Sequence, residues 1–143
     1  MEESVDLKMN ISELQIFLDT EFPQMAQEFE IVSISGSGEG ALVLFNATEK
    51  HLRPGNTVSG PWMFALADLT AYIAVLSVLG PVAQAVTTNC SIDFMRRPDS
   101  GLLMCRAKIL KLGRRLVIID GRIFSEGSEE LSAARFSMTY ARP

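Results

Sequence analysis

The chain has 143 residues, of which 48% are hydrophobic and 21% charged, and its formal net charge is −4. That is ordinary globular composition, long enough for one hydrophobic core and too short for two, so a single domain over residues 1–143 is expected. A mildly acidic chain gives no electrostatic footprint for nucleic acid. Cys90 and Cys105 lack CxxC spacing and read as reduced thiols rather than as a metal site or a disulfide framework.

The opening residues MEESVDLKMN have no basic start and no apolar run, so no secretory signal is expected and the chain reads as cytoplasmic. Residues 10–22 predict a short amphipathic helix. Asn10 can cap it, Glu13 completes a capping box, Leu14, Ile16 or Phe17, and Leu18 supply the apolar side, and Pro23 ends it. Residues 29–35 and 41–47 are strand-like runs joined by GSGEG at 36–40, a hairpin signal. The loop 48–59 then leads to Ser59-Gly60-Pro61, where Ser or Gly can cap a helix and Pro fits its first turn.

Residues 61–79 form a very apolar helical segment, closed by Gly80-Pro81. Its length approaches that of a membrane span. Against that reading, Asp68 at its centre would cost about 2.5–3.5 kcal/mol on insertion, and no basic cluster closes the segment. A buried central helix is the expectation.

Four β segments follow. Residues 86–96 alternate, with Val86, Thr88, Cys90, Ile92 and Phe94 on one face and Thr87, Asn89, Ser91 and Asp93 on the other. Segments 102–112, 115–125 and 131–140 complete six antiparallel strands, with Gly121 marking an expected bulge. Small residues at Ala65, Ala67, Ala71 and Ala74 let a curled sheet approach the helix closely. A helix apolar nearly all round needs cover on more than one side. The part a single sheet leaves open, with Asp68, should therefore lie at a subunit interface or ligand cleft.

Asp68 is the one charged side chain between Arg53 and Asp93. Burying a carboxylate without a partner costs several kcal/mol or raises its pKa, so two readings stand. It either caps a turn or pairs with a distant Arg, or it is a catalytic group on a rigid helix in an apolar cleft. His51 is the sole histidine, expected to be solvated on its loop, and no Ser sits in a GxSxG elbow, which argues against a serine-hydrolase triad. There is no Walker loop, no GxGxxG before a helix and no metal-ligand cluster, so no metal or redox cofactor is expected.

The order of elements resembles the α+β hotdog fold, a curved antiparallel sheet wrapped around one long helix. The segment Gly60-Pro61-Trp62-Met63-Phe64-Ala65-Leu66-Ala67-Asp68 resembles the helix motif of PaaI-like acyl-CoA thioesterases, with the likeness running over about 29–140. The resemblance implies that Asp68 is nucleophile or general base, that Gly60 N–H holds the thioester oxygen, and that Thr87, with Thr88 beside it, orients water or Asp68. The chain departs from the motif at three places: Ser59 stands where the family has His, Pro61 where it has a second Gly, and Arg53 where it often has Asn, although Asn56 is close by.

Thioester hydrolysis needs an activated nucleophile and a stabilised oxyanion. A helix N-terminus at Gly60 can supply the second. Eight residues of helix separate Gly60 from Asp68, roughly 12 Å of rise, too far for both to serve one carbonyl within one chain. Hotdog proteins meet this by pairing, so a homodimer or homotetramer is expected. Coenzyme A would enter only as part of the substrate, its phosphates drawn to Arg96 and Arg97 in a late run of basic residues that also includes Arg106, Lys108, Lys111, Arg114 and Arg115. The same run can equally be a solvated hairpin. Arg53, Asn56 and Thr88 join the candidate binding set, and Trp62, Met63 and Tyr72 would line the acyl chain. Two rivals to hydrolysis are a non-catalytic acyl-CoA-binding hotdog module and a hydratase. The hydratase is the weaker, because no His follows Asp68.

Overall fold

The computed structural model describes residues 6–36 and 40–143. Helix α1 (Ile11–Glu21) begins as the sequence predicts: Glu13 N–H donates to Asn10 Oδ1 at 2.8 Å, and Asn10 N–H donates back to Glu13 Oε1 at 3.0 Å. A one-turn helix α2 (Pro23–Ala26) follows. Strands β1 (Phe29–Ser33) and β2 (Ala41–Ala47) pair antiparallel. Of the GSGEG turn between them, residues 37–39 lie outside the described residues.

The loop after β2 is more ordered than the sequence suggests. It holds a 3₁₀ turn (Glu49–His51) and a small hairpin of β3 (Leu52–Arg53) and β4 (Thr57–Val58). Gly55 and Asn56 take φ of +100° and +61°, which Gly and Asn tolerate best, and Asn56 N–H closes the turn on Arg53 O at 3.0 Å.

Helix α3 (Gly60–Leu79) is capped by Ser59, whose Oγ accepts from Trp62 N–H at 3.4 Å, and stops at Gly80 with φ +92°. It is long and apolar enough to cross a membrane, yet 72% of its apolar window is buried within the protein. Six strands, β1, β2, β5 (Val86–Phe94), β6 (Gly101–Leu112), β7 (Leu116–Ser125) and β8 (Ala134–Ala141), form one antiparallel sheet in the order β1-β2-β6-β7-β8-β5. Its inner face presents Val43, Phe45, Cys105, Ile119, Ile123 and Met138, all fully buried against the core. The second cover for α3 comes partly from within the chain, because α1 lays Leu14 and Leu18 into the same core.

Two expectations about strand irregularity need correction. Gly121 is not a bulge. It pairs in register with Ala107 and Phe136, and a Cβ there would collide with the Phe136 ring and sit 2.7 Å from Arg106 O. The glycine is there to seat the ring. The bulge in β6 falls instead between Ile109 and Lys111.

The second irregularity matters more for the site. Register along β5 passes from Thr87↔Tyr140 to Asn89↔Thr139, leaving Thr88 as an extra residue. Strict alternation therefore fails at that point. Thr87 shares the helix-facing side with Cys90, Ile92 and Phe94, which pair with the β8 residues Met138, Phe136 and Ala134. The fold is the hotdog architecture expected from the sequence.

Candidate active site

Asp68 emerges from the middle of α3 half-buried, facing the β5–β8 end of the sheet. The Thr88 bulge turns Thr87 toward it, and Thr87 Oγ1 donates to Asp68 Oδ1 at 2.6 Å. Tyr140, directly opposite Thr87 in β8, donates to the same oxygen at 2.7 Å, and its hydroxyl also lies 3.0 Å from Asp68 O. Neither structural role expected for the acid is observed. Among the described residues it forms no ion pair and caps no turn. Both its side-chain hydrogen bonds come from hydroxyls and both reach Oδ1.

Burial, reinforced by the Asp68 carboxylate, pushes the Tyr140 hydroxyl well above the ordinary tyrosine range. The same two causes, in the same order, raise the Cys90 thiol. Asp68 opens on a cleft of about 370 Å³ lined by Phe22, Leu69, Tyr72, Val86, Thr87 and Tyr140 among others. One wall is aromatic: the Tyr72 and Tyr140 rings stack with centroids 6.0 Å apart, and Phe22 meets Tyr72 edge-on at 6.5 Å.

Gly60 lies elsewhere. It opens α3, where helical geometry leaves its N–H without an intrahelical acceptor, and lines a second cleft of about 320 Å³ with Arg53, Met63, Phe94, Arg96 and Arg97. The β3–β4 hairpin brings Arg53 there, because Val58 N–H donates to Pro98 O at 2.9 Å and Thr57 bridges Asp99. Three arginines thus line a cleft at a helix N-terminus. Arg96 is held in part by its 2.6 Å hydrogen bond to Ser132 O. A Cβ on Gly60 would meet nothing closer than the Phe94 ring at 3.7 Å. Packing does not demand glycine there, although the following proline makes a residue without Cβ easier to hold in helical geometry.

Other candidate residues fall outside both clefts. Trp62 packs on Phe45 at 5.9 Å and meets the His51 ring at 4.6 Å, which makes it part of an aromatic cluster packed against the core. Asn56 is a turn residue, and Thr88 Oγ1 donates to Thr139 O at 3.2 Å from the bulge. His51 is not solvated. It is 2% exposed, accepts at Nδ1 from Thr48 N–H at 2.9 Å, and with its remaining hydrogen on Nε2 donates to Glu28 Oε2 at 2.9 Å. Its carboxylate partner stands 23 residues away in sequence, which no local reading could find.

The late basic run also separates. Only Arg96 and Arg97 line the cleft with Gly60. Arg106 and Lys108 sit on the outer face of the sheet, where Arg106 Nε pairs with Glu129 Oε2 at 2.7 Å. Tyr140 is the residue beside Asp68 that the sequence did not single out. It reads as an inward apolar position of a strand, and its hydroxyl finds Asp68 only once β8 is paired with β5.

Comparison with known proteins agrees with this architecture. Residues 55–132, more than half of the chain, match the family model described as the Thioesterase superfamily. A protein from Silicibacter sp. TM1040 assigned as a thioesterase is 48% identical, with a TM-score of 0.88 over 99% of this chain and 96% of that one. A single-residue variant of the phenylacetic acid degradation protein PaaI from Thermus thermophilus is 27% identical, with a TM-score of 0.72 over 85% of this chain and 97% of that one. An assigned esterase from Thermoplasma acidophilum is 27% identical over 94 residues, 65% of this chain and 68% of that protein. With its sheet and its central helix accounted for, the chain belongs to the thioesterase superfamily and is a thioester hydrolase of the hotdog-fold, PaaI-like kind.

Proposed function

We propose that the chain hydrolyses acyl-CoA thioesters as a homodimer, or as a pair of such dimers, with each active site built from two subunits. Asp68 takes a proton from water as the water oxygen adds to the thioester carbonyl. The oxyanion accepts a hydrogen bond from Gly60 N–H of the partner subunit. Collapse expels the coenzyme A thiolate, which recovers the proton, leaving a carboxylic acid and free thiol. Direct attack by the Asp68 carboxylate, with water releasing the acyl anhydride, has the same overall balance.

The observation that carries this reading is the division of chemistry along one helix. The Gly60 end is cationic, suited to nucleotide phosphates, and the Asp68 end is aromatic, suited to an acyl group. A two-fold axis that sets two α3 helices antiparallel brings one subunit's cationic end to the other's acid. The surface needed for such pairing is apolar and uncovered. Pro61 and Phe64 are exposed on α3, Ala65 and Asp68 continue their stripe, and β5 is an edge strand with Val86 54% and Phe94 51% exposed. Edge strands of that kind invite pairing.

The test is a panel of acyl-CoA esters with detection of released thiol. Turnover dependent on acyl type supports the reading. Saturable binding of the esters without thiol release would favour the non-catalytic binding module, a rival that Ser59 and Pro61 keep in view because they replace the family's His and second Gly.

A further inference from the structure

We infer that Tyr140 is a positioning residue which, with Thr87, pins Asp68 Oδ1 so that Oδ2 is the oxygen that works on substrate. The inference rests on the hydrolase reading of Asp68 and adds to it which atom acts and what holds it there.

An aspartate on a helix has several accessible rotamers, and a carboxylate left free among them spends little time aligned with any one water. Here two hydroxyls from adjacent strands, at 2.6 and 2.7 Å, converge on one oxygen. Short hydroxyl-to-carboxylate bonds are strong ones. Among the described residues, no side chain or backbone donor reaches Oδ2. The arrangement depends on register: Tyr140 stands opposite Thr87, and the inserted Thr88 puts both on the helix-facing side. Tyr140 is 3% exposed, its ring is stacked on Tyr72, and its hydroxyl donates to the carboxylate and carbonyl of Asp68. A phenylalanine would fill the same space, so the hydroxyl is a feature that packing does not require. Because that hydroxyl keeps its proton far above neutral pH, it is a donor throughout the working range.

Tyr140→Phe keeps the ring, its stacking and the cleft wall while deleting one of the two restraints. The expected result is a fall in kcat of about 10- to 100-fold with KM within about twofold, since misplacing a reacting group by about 1 Å can cost a hundredfold. Thermal stability and dimerisation are measured on the same sample, and a crystal structure of the variant should show the Asp68 carboxylate in more than one orientation. Asp68→Asn is assayed alongside. If Asp68→Asn is inactive and Tyr140→Phe turns over like wild type, the positioning role is overturned while the hydrolase reading stands. A rise in KM at unchanged kcat would make Tyr140 part of the binding wall and overturn it as well, as would a carboxylate held in its original orientation. If Asp68→Asn stays active, the failure lies in the hydrolase reading itself.

Discussion

Shared active sites make a quantitative prediction about mixed dimers. One parent carries Asp68→Asn. The other carries Gly60→Pro, which removes the N–H at the first helical position, where proline is in general tolerated, at the cost of placing a Cβ in helical geometry just before Pro61. Ser59 already has the extended conformation that a following proline needs, with φ −70° and ψ 149°, and a Cβ at 60 meets only ordinary contact. Each parent should be inactive, dimeric and folded, which sedimentation and thermal unfolding establish before mixing. In a heterodimer one site combines both defects and the other combines neither, so each heterodimer has about half of wild-type activity if the sites act independently. Random exchange of equal amounts makes half the population heterodimeric, so the mixture should reach about a quarter of wild-type activity. Were Gly60 and Asp68 of one chain to serve one carbonyl, every site would carry a defect and recovery would be nil. Absence of recovery in demonstrated heterodimers refutes the shared site, as would a fully active monomer.

Replacing both Arg96 and Arg97 by Ala should raise KM for CoA esters about tenfold or more, since a hydrogen bond to a charged group contributes about 1.5 kcal/mol or more. The kcat value should be largely spared and high salt should mimic the loss, whereas an equal effect on a short thioester lacking the nucleotide would contradict phosphate binding. Gly121→Ala should destabilise the fold by about 1–3 kcal/mol in denaturant titration, because the added methyl overpacks the Phe136 ring; an unchanged midpoint would mean the ring has room to move. Acid should weaken the fold through Glu28, whose carboxyl is held below its usual 4.5 by the Lys50 hydrogen bond and then by His51, against the opposing effect of burial. A depressed native pKa gives stability that is full above 4.5 and lost as pH falls through the lower native value. Glu28→Gln should therefore flatten the decline of Tm below about pH 4.5, and an equally steep decline in the variant would remove Glu28 from the account.

The sequence was most legible where periodicity and punctuation act locally. The Asn10–Glu13 capping box, the Ser59 cap, the Gly80 stop and the six main strands all follow from short-range chemistry. Asp68 stood out because a lone carboxylate on an apolar helix conflicts with its surroundings, and the Thr87 hydroxyl does meet it. What the sequence concealed depends on pairing between distant segments. Strict alternation put Thr87 and Cys90 on opposite faces of β5, and only the register against β8 reveals the extra residue at Thr88. The buried His51–Glu28 contact and the Tyr140–Asp68 contact join residues 23 and 72 positions apart. Trp62, expected to line the acyl chain as an apolar residue of the helix, instead packs half-buried beside Phe45.

The central claim is that Asp68 performs the chemistry, and one substitution tests it most directly. Asp68→Asn preserves shape, and its amide oxygen can still accept from Thr87 and Tyr140, so the variant should fold and dimerise like the parent. It cannot act as general base or nucleophile, and kcat on the best acyl-CoA of the panel should fall at least about a hundredfold. Turnover near the wild-type value by a folded, dimeric Asp68→Asn protein would contradict the account and leave Asp68 a structural acceptor for two hydroxyls.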